Sequence, residues 1–170
     1  CEQKTTSGIQ LFNINTITQE RYIDELGNIL NNPKWNISLE NIDVSANEEY
    51  TFSRNNLEIN ESQFLICEYK SNGDFIKKNQ LWQNGTYKYT ITTTSETKFV
   101  HLGYRNDFAH SDLMFQKGAD RTQFEPYTGG QPSPSPDFPQ EIKTLTGDIK
   151  LTSAGRNLLD YVSNLITSNN

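Results

Sequence analysis

The chain has 170 residues, enough for a domain of about 125 residues with its own core plus a remainder. Its hydrophobic share of 34%, with Asn and Thr abundant, fits a β-rich, loop-rich body better than a helical one. A formal charge of −6 without a basic cluster argues against nucleic acid or anionic lipid as a partner, and no apolar run reaches the roughly 18 residues of a transmembrane helix.

Residues 1–8 are polar and read as a flexible lead. Order begins at Leu11-Phe12-Asn13-Ile14. Residues 17–30 allow two readings. Thr16 with Gln19 resembles a helix capping box, and Ile23, Leu26 and Leu30 stand at helical spacing. The same residues also read as a hairpin turning at Gly27-Asn28. Asn32-Pro33 marks a turn, and short strands follow at 35–38 and 42–44. Residues 49–53 alternate aromatic and polar as a half-buried strand does. A short strand at 57–59 is followed by strands at 64–70 and 75–77, joined by a hairpin turn at Asn72-Gly73. A second such turn, Asn84-Gly85, precedes strands at 88–92, 99–104 and 112–116. Short strands with turn signals every 8–12 residues are the pattern of a sandwich or barrel. Phe52, Phe64, Tyr89 and Phe99 are the expected core, with Cys67 as a small buried hydrophobe inside an apolar strand.

Five of the six prolines fall within residues 124–142. Pro132, Pro134, Pro136 and Pro139 fix φ, remove backbone donors and push their neighbours out of the α region, so the segment is extended without a sheet partner. At ~3.1 Å per residue, residues 131–140 form a semi-rigid spacer of roughly 30 Å, entered through a joint at Gly129-Gly130. Beyond it, Gly155-Arg156-Asn157-Leu158-Leu159-Asp160 echoes Gly8-Ile9-Gln10-Leu11-Phe12-Asn13, so residues 143–170 read as the start of a further module.

The run Phe124-Glu125-Pro126-Tyr127-Thr128-Gly129-Gly130, continued by Pro132-Ser133-Pro134-Ser135-Pro136-Asp137-Phe138-Pro139-Gln140-Glu141-Ile142, resembles a signature of minor structural proteins from tailed phages and prophages of Gram-positive bacteria. These are tail-tip, baseplate and tail-fibre proteins. Residues 113–142 carry most of the resemblance, and residues 8–53 a looser part. Two departures stand out: Met114-Phe115-Gln116-Lys117-Gly118 replaces the usual Gln-Leu-Glu-Lys-Gly, and Phe138 replaces Tyr. The resemblance implies a jelly-roll-like (galactose-binding-like) all-β sandwich over residues 9–128, similar to carbohydrate-binding modules. The linker then covers 129–142. It also favours the hairpin over the helix at 17–30, with a single helical turn near 18–21 still allowed. The implied function is attachment of the virion to a host cell-wall or surface polysaccharide, among other tail and baseplate proteins and in a homotrimer. The alternatives are an architectural spacer in a trimeric or hexameric tail, or a secreted lipoprotein domain anchored through Cys1. The implied location is the virion, or outside the cell when free.

No His-Glu-x-x-His, Gly-x-Ser-x-Gly, phosphate-loop or Cys-x-x-Cys motif is present, and the expectation is a non-catalytic module without a cofactor. A structural calcium, common in related sandwiches, would draw on Asp43, Asp112 and Glu49. A pyranose needs an exposed aromatic ring for its C–H face and amide, carboxylate or guanidinium partners for its hydroxyls. Trp82 is the first candidate for that ring, followed by Trp35 and Tyr104, with Arg105, Asn106 and Asp107 as polar partners.

Overall fold

The computed structural model describes residues 6–55, 63–81, 87–106 and 112–132. The chain divides into two compact units, Lys4–Pro139 and a second made of Cys1–Gln3 with Gln140–Asn170. All described residues lie in the first. The proposed strand at 57–59, the turn at 84–85, the linker beyond Pro132 and the tail from 143 lie outside the described residues.

The first unit is all-β. Its strands are β1 (Ile17–Ile23), β2 (Ile29–Asp43), β3 (Glu49–Ser53), β4 (Phe64–Tyr69), β5 (Phe75–Leu81), β6 (Lys88–Thr92), β7 (Phe99–Arg105) and β8 (Met114–Lys117). They form a five-stranded sheet ordered β1-β2-β7-β4-β5 and a three-stranded sheet ordered β6-β3-β8, with every pair antiparallel. One 3-10 turn at Ile14–Thr16, capped by the Asn13 side chain, is the sole helical element among the described residues.

Side chains alternate between the two faces of a strand. One face of the large sheet presents Phe64, Ile66, Val100 and Leu102 to Phe52 and Phe115 of the small sheet, with Phe12 in the same core. Phe52 meets Phe64 across the sheets at 4.9 Å between ring centres. Each fully buried Phe here contributes on the order of 2–3 kcal/mol. The opposite face, carrying Trp35, Ile37, Leu65, Cys67, Tyr69 and Phe99, is buried as well, with Ile23 and Tyr22 packed into the same cluster. This two-sided burial explains why all six residues of β4 are inaccessible and why its sequence is an apolar run rather than an alternation.

The cover on that second face is the β1–β2 hairpin. Pairing shifts from Gln19↔Asn36 to Arg21↔Asn31, so β2 carries several extra residues, Pro33 among them, opposite Glu20. The irregularity bends the hairpin, as bulges do. Its outer part lies against β5: Tyr22 donates its hydroxyl proton to Gln80 Oε1 at 2.9 Å, Lys78 Nζ donates to the Tyr22 hydroxyl at 2.6 Å, and Glu25 pairs with Lys78.

The hairpin reading of 17–30 therefore holds, and residues 18–21 are strand rather than a helical turn. Asn32-Pro33 is not a turn: it sits inside β2, where the irregular pairing accommodates a proline without a ladder donor. Tyr89 is only partly buried, at the margin of the core. The lead is also more tightly held than its composition suggests. Thr6 and Gly8 are buried, and a Cβ on Gly8 would stand 2.6 Å from the Gln131 backbone.

Candidate binding site

β2 and β7 bring four of the six predicted sugar-contacting residues to one end of the large sheet. Trp35 pairs with Arg105, and Asn36 with Tyr104. Asn106 follows at once and is anchored by its backbone N–H to Lys34 O at 3.0 Å and by Nδ2 to Pro33 O at 2.9 Å. Yet Trp35 is 3% exposed and Tyr104 9%, on opposite faces of the sheet. Neither ring offers a face for a sugar, which corrects the expectation for both. The bent hairpin takes Trp35 into the second core, with Tyr22 packed on it at 5.2 Å. Arg105 is half-buried and donates through Nη1 to Gln63 Oε1 at 3.2 Å. Trp82 and Asp107 lie outside the described residues.

A cleft of about 300 Å³ opens elsewhere, where the first ordered segment runs beside the exit from β8. Leu11 N–H donates to Phe115 O at 2.8 Å, so the entering chain lies along β8. Gln10 is buried and uses its whole amide: Nε2 donates to Leu113 O, and Oε1 accepts from Phe12 N and Phe115 N. Ser7 donates from its backbone N–H and hydroxyl to the Glu125 carboxylate at 2.9 Å. The cleft's walls come from this clasp: Asn13, Ile14 and Asn15 from the entry, Asp112 before β8, and Phe124 and Tyr127 from the exit. None of these is among the predicted sugar contacts, and Asp112 is expected only as a calcium ligand. Phe124 and Tyr127 stand at the start of the Pro-rich run, whose prolines point to a spacer rather than to a cleft wall.

Asp112 adopts φ +54°, left-handed for a non-glycine residue. Arg121 Nη2 donates to its carbonyl at 3.1 Å, and Asn55 Nδ2 to its carboxylate at 3.3 Å. Among the described residues no three His, Cys, Asp or Glu side chains gather as a metal site would require, so Asp43, Asp112 and Glu49 do not converge.

The two groups closest to a nucleophile pair are Cys67 and His101, which face each other across β4 and β7. Burial pushes the Cys67 thiol up to about 12 and the His101 imidazole down to about 4. Both shifts favour the neutral forms, opposite to the thiolate–imidazolium arrangement of a reactive cysteine. A third buried group, Glu68, accepts from Thr97 Oγ1, from Thr94 N at 3.0 Å and from Asn79 Nδ2 at 2.8 Å, with Lys77 Nζ at 3.3 Å. Its carboxylate closes the β6–β7 turn, a structural task.

No protein-family model, no curated protein and no solved structure matches this chain.

Proposed function

We propose that the chain is a non-catalytic module of a tail-tip, baseplate or tail-fibre protein of a tailed phage or prophage of Gram-positive bacteria, helping to attach the virion to a host surface glycan. The observation that supports this reading is the signature over residues 113–142, which begins at the last strand of an antiparallel all-β body. A five-stranded and a three-stranded sheet sharing one core support a jelly-roll-like, galactose-binding-like sandwich for that body. The Pro-rich run then acts as a spacer to the next module. The reading places the protein in the virion, acting outside the host cell.

Isothermal titration against purified wall polysaccharide from Gram-positive hosts tests the proposal. Saturable heat with at least one polysaccharide is expected; a flat titration with all of them removes the adhesion function.

The burial of Trp35 favours a second reading, in which the module is an architectural spacer of a trimeric or hexameric tail assembly. Sedimentation equilibrium separates the two. A stable trimer or hexamer with no glycan binding supports the spacer, and a glycan-binding monomer excludes it.

A further inference from the structure

The geometry points to the cleft between the entering segment and the exit from β8 as a saccharide site, taking the end of a neutral glycan chain. This rests on the glycan reading above and names the place and the sugar class within it. The floor is rigid, because Phe12 is 1% exposed and Gln10 is held by three hydrogen bonds. A floor already in place costs no ordering when a ligand arrives.

The walls divide by chemistry. Ile14, 49% exposed, stands with half-buried Phe124 and Tyr127 as apolar surface open to the cleft. Asn13, Asn15 and Asp112 supply amide and carboxylate groups. Asp112 accepts from Asn55 through one oxygen, and among the described residues no donor meets the other. Its left-handed backbone, pinned through Arg121, holds that carboxylate at the rim. Strained non-glycine residues of this kind concentrate at functional sites. An aromatic ring for the C–H face beside acceptors and donors for hydroxyls is what a pyranose requires.

Charge selects among sugars. None of the lining residues is basic, Asp112 is acidic, and the chain carries −6. A phosphodiester or uronate polymer therefore meets the Asp112 carboxylate, and the neighbouring Arg121 already donates to Ser53 and to the Asp112 carbonyl, whereas a neutral hexose or N-acetylhexosamine meets no repulsion. A volume of about 300 Å³, at the small end of ligand clefts, suits a chain end rather than a long stretch of polymer.

The test is an NMR titration of the ¹⁵N-labelled full chain with oligosaccharides ending in neutral hexose or N-acetylhexosamine. Glycerol-phosphate oligomers form a second arm. We expect amide shifts grouped at residues 13–15, 112–113 and 124–127, and no response to the phosphate oligomers. Kd should weaken about tenfold or more in Tyr127→Ala, with a smaller loss in Asn15→Ala. If Tyr127→Ala loses its β-type circular dichroism, the shift map and Asn15→Ala decide. Neutral-sugar binding abolished by Trp82→Ala but kept by both cleft variants overturns the cleft and leaves the glycan function standing. Preference for the phosphate oligomers overturns the sugar class. Absence of binding to every oligosaccharide overturns the cleft and the glycan function together.

Discussion

His101 shows how burial sets a residue's chemistry. Its ring lies 4.5 Å from Tyr69 and 5.5 Å from Phe99, and its Nε2 is 3.0 Å from Asn41 Oδ1. Nδ1 is buried without a partner among the described residues. Burial depresses the imidazole to about 4, against 6.5 for the ordinary group. The unfolded chain therefore binds a proton between those values that the folded chain refuses. The stability linked to His101 is complete above pH 6.5 and is lost as pH falls toward 4. Allowing for partial solvent screening, the loss is on the order of 2 kcal/mol. Urea unfolding at pH 7 and pH 4 should show it in the wild type and not in His101→Phe. Equal pH slopes would contradict the burial account. Cys67 follows the same physics, and its place in an apolar run announced it. The role of Glu68 was not legible, because its partners Thr94 and Thr97 come from a turn far along the chain.

At the scale of elements, the β1–β2 hairpin decides most. Its local signals left a helix and a hairpin both open, and the hairpin reading placed the reversal of the chain at Gly27-Asn28. Gly27 has φ +84°, and a Cβ there would stand 2.6 Å from Phe75 Cγ. Gly27→Ala should therefore destabilise by about 1–3 kcal/mol, from the left-handed backbone and the clash together. Denaturant midpoints would measure this. A neutral result would mean that the hairpin tip does not press on β5. The folding-back of the hairpin was not legible. It depends on an irregular register around Glu20 and on Tyr22 reaching Gln80 and Lys78, contacts between segments distant in sequence. Sequence reasoning could place Trp35 on a strand but not choose between an open face and a covered one. The covered face has withdrawn the ring from any sugar.

Across the first unit, entry and exit of the chain are fastened together. Gln10 bridges Phe12, Leu113 and Phe115, Ser7 meets Glu125, and Gly8 lies against Gln131. Gln10→Ala would leave the Phe12 and Phe115 amides and the Leu113 carbonyl short of a partner, so a loss of about 2–4 kcal/mol is expected in thermal or urea unfolding. A change under about 0.5 kcal/mol, the range of ordinary surface substitutions, would show that the clasp is incidental. Gly8 meets Gln131 and Phe12 enters the core in the same segment. The all-β class was legible from strand and turn signals alone. The cleft was not, since its walls come from opposite ends of the unit.

The proposed attachment to a host surface sugar is tested most directly by binding of the fluorescently labelled chain to intact Gram-positive host cells. Saturable labelling that disappears after enzymatic removal of the surface polysaccharide is the predicted result. Host cells that stay unlabelled, or that label equally after stripping, would contradict it.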